Sequence, residues 1–451
     1  TLASTRGSIY DRNNNMLAGK GQVSAIGFVP GKMNKENEDD IKKIAEILEM
    51  SEESIKKLLS ASYVKDDTFV QLKKVQKDDE VIDKVLEVKG IKVISVESRV
   101  YPLGECMSHI VGYVQNISSE ELEEHKNEGY TQSSIIGKIG LEKQYEKRLK
   151  GVDGVEIYIE DEKGNKKEII ARQELKDGED VIITIDSNLQ KKIYENAKDI
   201  KGFFVVMNPD TGEMLSMVST PSYDSNDFAL GISNKKWNEL NESESKPLYN
   251  RLLSTWCPGS TFKPVTGAIG ITTNKVDPNK DFGHSGLSYK KDDSWGDYKI
   301  TTLREYSQPA NMKNALINSD NIYFAKATLD IGAKLYAESL DKIGFNKAID
   351  FQLDIAKSTY SDDGKFDSEI GLADTGYGQG KLLVNPIFMA SVYSAFVNEG
   401  NMLLPILEYN ENAEKKYYIK EAFSKEAADI IYQDLVQVVE SPNGTASNLK
   451  I

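Results

Sequence analysis

Apolar residues change their spacing several times along this chain, and each change predicts an element. Residues 1 to about 30 alternate in short runs around Asn13-Asn14-Asn15, which predicts short strands joined by a turn. From 36 to 60, Ile41, Ile44, Ile47 and Leu48, then Ile55, Leu58 and Leu59, recur at helical spacing on a charged background. Strand-like runs follow at 69–72 and 91–94, and 108–113 around His109 reads as a further strand. A helix is predicted over 141–149, between Gly140 and Gly151. From 152 to 172 apolar and charged residues alternate, which predicts an exposed hairpin turning at Gly164-Asn165.

The run 174–180 is acidic and reads as a linker. After it come an apolar strand at 181–185 and Asp186, placed to cap a helix that carries Leu189, Ile193 and Ala197. Two apolar runs at 202–207 and 214–218 flank Pro209-Asp210-Thr211-Gly212, a hairpin pattern. Beyond 260 helical spacing dominates.

The chain has 451 residues, enough for two or three domains with sizeable cores. Its net charge of −15 argues against nucleic acid as a partner and against docking on an anionic membrane surface. The two cysteines, Cys106 and Cys257, give no disulfide framework and no cysteine-rich zinc pattern. No apolar run is long enough to cross a membrane, and the chain opens Thr1-Leu2-Ala3 without a methionine. We expect it to be a processed or excised part of something longer.

Chemistry concentrates at Trp256-Cys257-Pro258-Gly259-Ser260-Thr261-Phe262-Lys263-Pro264. Ser-x-x-Lys also occurs at Ser54…Lys57 and Ser233…Lys236, so the spacing alone selects nothing. Only the copy at Ser260 follows a Pro-Gly break and opens a helix-forming run, with Pro264 in the first turn where its missing N–H costs little. Residues three apart share a helix face, so the Lys263 amine can meet the Ser260 hydroxyl. A lysine in a partly desolvated cleft loses its proton near neutral pH and serves as the base. The plain alternative is an N-cap serine beside a solvated lysine.

Acyl transfer also needs a second proton shuttle and a group that holds the substrate amide. Ser319-Asp320-Asn321 supplies both: Ser319 to relay a proton, and Asn321 to bond a substrate carbonyl and Lys263. Asp320 is expected to point away and brace the loop. Alone this triplet reads equally as a helix cap.

With both motifs in this order, the chain resembles class B penicillin-binding proteins. The likeness runs through Arg6-Gly7-Ser8-Ile9-Tyr10-Asp11-Arg12, Gly137-Lys138-Ile139-Gly140-Leu141-Glu142, Asn208-Pro209-Asp210-Thr211-Gly212-Glu213 and Asp374-Thr375-Gly376-Tyr377-Gly378-Gln379-Gly380 with Asn385-Pro386. Within that class, 63–70, 97–104 and Ser294-Trp295-Gly296 are most similar to the low-affinity, methicillin-resistance type. The resemblance implies an elongated α+β pedestal of the dimerisation type over 1–178, without chemistry. It implies an α/β transpeptidase domain, of the serine β-lactamase-like kind with a sheet flanked by helices, over 179–451.

The implied reaction is D,D-transpeptidation of peptidoglycan stem peptides ending in D-Ala-D-Ala, through an acyl-enzyme on Ser260. Lys263 is the implied base, Ser319 the shuttle, and Asn321, Trp256, Tyr377 and Gln379 the substrate contacts. No cofactor is required. β-Lactam antibiotics would acylate the same serine. The expected partners are the cell-wall synthesis and division machinery, and the expected location is the outer face of the cytoplasmic membrane, with an anchor upstream of residue 1. A hydrolytic reading (D,D-carboxypeptidase or β-lactamase) and a β-lactam sensor are the rivals. The family's third motif, Lys-Thr/Ser-Gly, is absent from the sequence, which we expect to be cut just before it.

Two further sets carry alternatives. Cys257 and His284, with Asp281, Asp292 or Asp293, have the ligand types of a zinc site; otherwise they are a small wall residue and a solvated loop histidine. Trp256, Trp295 and Tyr298 either line a peptide groove or pack.

Overall fold

A computed structural model describes residues 2–33, 39–163 and 166–450. The turn expected at Gly164-Asn165 and the start of the helical run expected from 36 lie outside the described residues. The chain divides into two compact units, one of residues 1–202 with 218–250 and one of 203–217 with 251–451.

In the first unit the strand Met16–Phe28 is the organising element. It pairs antiparallel with Ile91–Val100, from Gly19 opposite Val100 to Phe28 opposite Ile91, and with Val70–Val75. The short strand Ile9–Tyr10 pairs with it beyond a turn at 11–15. Ile9–Tyr10 in turn pairs parallel with Val181–Ile182, so the strand after the acidic linker completes the sheet of this unit. Asp186 caps Ser187–Ala197 as its side-chain chemistry predicts, accepting from Asn188 and Leu189 N–H.

The helices Asp39–Leu48 and Glu52–Leu59 lay Ile44, Leu48 and Ile55 on Ile26, Phe28 and Val75, as their spacing requires. Residues 108–111 form a short helix, and a strand begins only at Tyr113. The strand expected around His109 is therefore corrected: all four residues of that turn are buried, so no alternation of inside and outside exists for a strand to use. The hairpin Val155–Glu160 with Lys166–Gln173 forms and is exposed along nearly its whole length.

A buried charge network ties the unit's far-apart segments. Glu142, fully buried, accepts from Arg99 Nε at 2.7 Å and from Tyr101 Oη at 3.1 Å, and pairs with Arg6 Nη2 at 2.7 Å. Arg6 also pairs with Glu146 at 2.8 Å. The helix expected over 141–149 is two short ones, Gly140–Gln144 and Glu146–Leu149, meeting at Tyr145, and each presents one carboxylate, Glu142 or Glu146, to this network.

In the second unit the helix Lys263–Thr272 is central, and its residues from Lys263 to Ile271 are all buried. Val265, Ala268 and Ile269 pack with Met312, Ala315, Phe324, Tyr336, Leu372, Val392 and Ile431 in one core. Thr266 and Tyr336 close a buried hydroxyl pair at 2.7 Å inside it. The hairpin Gly202–Met207 with Met214–Thr220 forms where the pattern places it, and Glu213 bridges in parallel to Ile406. The remaining strands among the described residues of this unit are two short pairs, Ser288–Tyr289 with Ile300–Thr301 and Met402–Leu403 with Tyr417–Ile419. This is an α/β plan in which helices supply most of the core.

Candidate active site

The site is built at the start of the central helix. Gly259 takes φ of +57°, a left-handed angle that suits glycine, and turns the chain into the short 3-10 turn Gly259–Phe262. The helix Lys263–Thr272 continues from it with Pro264 in its first turn. Ser260 is exposed at this start, while Lys263, one turn on, is only 1% exposed.

The helix Met312–Asn318 ends on Ser319, held at φ 54° and ψ 49°. That left-handed conformation costs a non-glycine residue on the order of 1 kcal/mol. It turns both oxygens of Ser319 toward Lys263. Lys263 Nζ donates to Ser260 Oγ at 2.8 Å, to Ser319 Oγ at 2.8 Å and to the Ser319 carbonyl at 2.9 Å. The two hydroxyls lie 3.1 Å apart. Ser260 and Lys263 thus form one hydrogen-bonded triangle with Ser319, which lies far along the chain from both. Burial pushes the Lys263 ammonium down to about 8, and the charge of Asp320 opposes the shift.

Asp320 is buried and caps the next helix, Asn321–Ile331, accepting from Ile322 and Tyr323 N–H at 2.9 and 3.2 Å. Its second oxygen accepts from Tyr306 Oη at 2.8 Å. It braces the loop, as expected. The expected bond between Asn321 and Lys263 is corrected: all three Lys263 donors are spent elsewhere, and Asn321 Nδ2 donates to the Thr301 carbonyl at 2.8 Å.

A floor lies under the Ser260 turn. Gly378 carries φ of +86°, and a Cβ placed on it would lie 1.8 Å from the Gly259 carbonyl oxygen. That close approach lets Gly259 N–H reach Gly378 O at 3.0 Å. Tyr377 donates its hydroxyl to Asp374, and Tyr298 donates to the two Asp374 oxygens at 2.6 and 2.7 Å. The Gln379 side-chain oxygen faces Cys257 Sγ at 3.7 Å. Trp256 is tied by its backbone to Val384, gives its indole N–H to the Arg251 carbonyl at 2.9 Å and packs on Phe203. Trp295 is buried with its N–H on Glu369. Trp295 is therefore a packing residue, while Trp256 is half-buried.

Cys257 and His284 point to different partners. Cys257 Sγ donates to the Gly378 carbonyl at 3.1 Å, and His284 Nε2 to the Gln308 carbonyl at 2.8 Å. Among the described residues no group of three or more His, Cys, Asp or Glu side chains is arranged to hold a metal ion. Of the other two Ser-x-x-Lys copies, Ser54 lies in the first turn of Glu52–Leu59 bonded to its cap Ser51, and Ser233 itself caps Asn234–Glu242.

Spacing did not reveal Tyr306, nor that Tyr298 and Tyr377 share Asp374 as their acceptor. The Gly-Tyr-Gly-Gln-Gly run was the available signal for the floor; Tyr306 has none.

Comparison with known proteins agrees with this geometry. Residues 202–451 match the family described as the penicillin binding protein transpeptidase domain, and residues 1–183 match the penicillin-binding protein dimerisation domain. The chain belongs to the penicillin-binding protein transpeptidase family, in the class B arrangement of a dimerisation domain followed by a transpeptidase domain. It is 41% identical over 442 residues to penicillin-binding protein 3 of Bacillus subtilis (strain 168), covering 98% of this chain and 65% of that protein. It is 27% identical over 436 residues to the peptidoglycan D,D-transpeptidase MrdA of Escherichia coli (strain K12), covering 90% of this chain and 66% of that protein. The chain thus spans about two thirds of the length of these relatives. A solved structure, a complex between penicillin-binding protein (PBP2) and MreC from Helicobacter pylori, has the same fold. Its TM-score is 0.77 at 24% identity, over 99% of this chain and 85% of that one. Among the described residues no helix is long and apolar enough to cross a membrane.

Proposed function

We propose that the chain carries the acyl-transfer site of a serine D,D-transpeptidase that cross-links peptidoglycan stem peptides. The observation that carries this reading is the Lys263 nitrogen, buried and 2.8 Å from both Ser260 Oγ and Ser319 Oγ. Neutral Lys263 takes the Ser260 proton as Oγ attacks the carbonyl carbon of the penultimate D-Ala. The tetrahedral oxyanion forms beside the helix start, where unpaired N–H groups and the helix dipole favour negative charge.

The C–N bond to the terminal D-Ala then breaks. Ser319 gives its hydroxyl proton to the leaving amine and is reprotonated from Lys263, which returns to the neutral form. The amine of a neighbouring stem attacks the acyl-enzyme, losing its proton by the reverse path and releasing Ser260. A β-lactam enters by the same first step, and its opened ring stays attached. Asn321 and the Tyr377–Gln379 segment flank the nucleophile and are proposed to hold the donor peptide. No step calls for a cofactor.

The likeness of 63–70 and 97–104 to the low-affinity, methicillin-resistance type supports a finer proposal, slow acylation by β-lactams. The substrate places the reaction outside the cytoplasmic membrane, and cell-wall synthesis machinery is the natural partner. The neighbouring solved structure holds MreC, which favours a cell-shape assembly over others.

The test supplies the full-length protein with a stem peptide ending in D-Ala-D-Ala and an acceptor amine, and follows products by mass spectrometry. A cross-linked product with release of one D-Ala is expected. Release of D-Ala with water as the only acceptor would instead favour a hydrolase, and acylation without turnover a sensor.

A further inference from the structure

Tyr306 lies in the segment between the strand Ile300–Thr301 and the helix Met312–Asn318, outside both serine motifs. Its hydroxyl donates to Asp320 Oδ2 at 2.8 Å. The other oxygen of Asp320 is occupied by the backbone of the following helix, so Tyr306 is the side chain that completes the carboxylate's coordination. Tyr306 is itself held: the His284 ring packs edge-on against it at 4.8 Å, and His284 is fixed by its N–H on the Gln308 carbonyl. Tyr306, His284 and Asp320 line one cavity of about 260 Å³ beside the Ser319 loop, with Thr302, Arg304 and Ile322. Asp320 directly follows Ser319, whose left-handed conformation aims its carbonyl and hydroxyl at Lys263.

We propose that Tyr306 is a positioning residue for the Ser260 site, holding Asp320 so that Ser319 stays turned onto Lys263 and drawing the Asp320 charge away from the Lys263 nitrogen. The proposal rests on the acyl-transfer reading of that site. The physical argument is electrostatic. A phenol O–H turns its positive end on the carboxylate and offsets part of its field in a poorly solvated setting. Remove it, and Asp320 holds the Lys263 proton more tightly. The base then becomes available only at higher pH. Among the described residues, the charged and titratable groups facing Asp320 are Lys263 from the central helix, Tyr323 and Lys326 from its own helix, Tyr306, and His284, Arg304 and Glu305 from the shared cavity. Tyr306 is the one that donates a side-chain hydrogen bond to it.

The test measures the rate of β-lactam acylation from pH 6 to 10 on full-length wild type, Tyr306→Phe and Asp320→Asn. For Tyr306→Phe we expect the rising limb to move up by about one unit, giving about ten-fold slower acylation at pH 7 and near-normal acylation at pH 10. The non-covalent binding constant should hold. Asp320→Asn keeps one acceptor oxygen for the helix cap, turns its amide NH2 on the Tyr306 oxygen and loses the charge, so its limb should move down. If Tyr306→Phe does not fold, the Asp320→Asn limb decides. Unmoved limbs, or an equal loss at every pH, overturn the proposal and leave a purely structural tyrosine. A wild type that is not acylated at all overturns the reading of the site, and this inference with it.

Discussion

A lysine that serves as a base must be buried enough to shed its proton and held closely enough to deliver it. Lys263 meets both conditions, with burial lowering it to about 8 and two hydroxyls at 2.8 Å. At pH 7 about one molecule in ten then carries the neutral amine. Acylation should therefore rise with pH through about 8 and level off above it, read as the rate of fluorescent-penicillin attachment; a flat profile would count against Lys263 as base. Lys263→Gln should slow acylation by about 10²–10⁴-fold at the plateau. The sign for stability runs the same way. Between about 8 and 10.5 the unfolded chain still binds the lysine proton while the folded one does not, so burial costs stability below pH 8 and the cost fades as pH rises.

This pair was legible in the sequence because helix periodicity fixes which residues meet. Tyr306 was not, because its partner Asp320 is reached across a loop that has no period to read.

Elements bring these residues together, and at the Ser260 turn two glycines meet backbone to backbone. The floor segment 374–380 meets the Ser260 turn where Gly378 leaves no room for a Cβ. Gly378→Ala should push the turn away, costing about 3 kcal/mol of stability and slowing acylation, since backbone atoms cannot move aside as a side chain can. Thermal unfolding and acylation rates check this together, and an unchanged variant would show that the contact is not needed.

Periodicity foretold the helices at 39–48 and 187–197, where one face is wet and one dry, and the apolar runs with their turn foretold the hairpin at 202–220. It failed at 108–111, where every residue is buried, and it missed both the break at Tyr145 and the buried Arg6–Glu142–Arg99 network within 141–149. Local spacing cannot report an ion network whose members lie this far apart along the chain.

At the scale of the whole molecule, the two units divide the labour. The first is a sheet with helices, bound by buried charge; its two Ser-x-x-Lys copies lie at helix starts, Ser54 bonded to the cap Ser51 and Ser233 itself a cap. The second places Ser260, Lys263 and Ser319 within hydrogen-bond reach at the end of a fully buried helix. Family matches cover both units.

The central claim is that Ser260 is the nucleophile. Full-length protein incubated with a β-lactam, digested and mapped by mass spectrometry, tests it most directly. The account predicts a single adduct of the intact antibiotic mass on the peptide containing Ser260, absent from Ser260→Ala. An adduct that survives Ser260→Ala, or one carried by any other residue of the wild type, would contradict it.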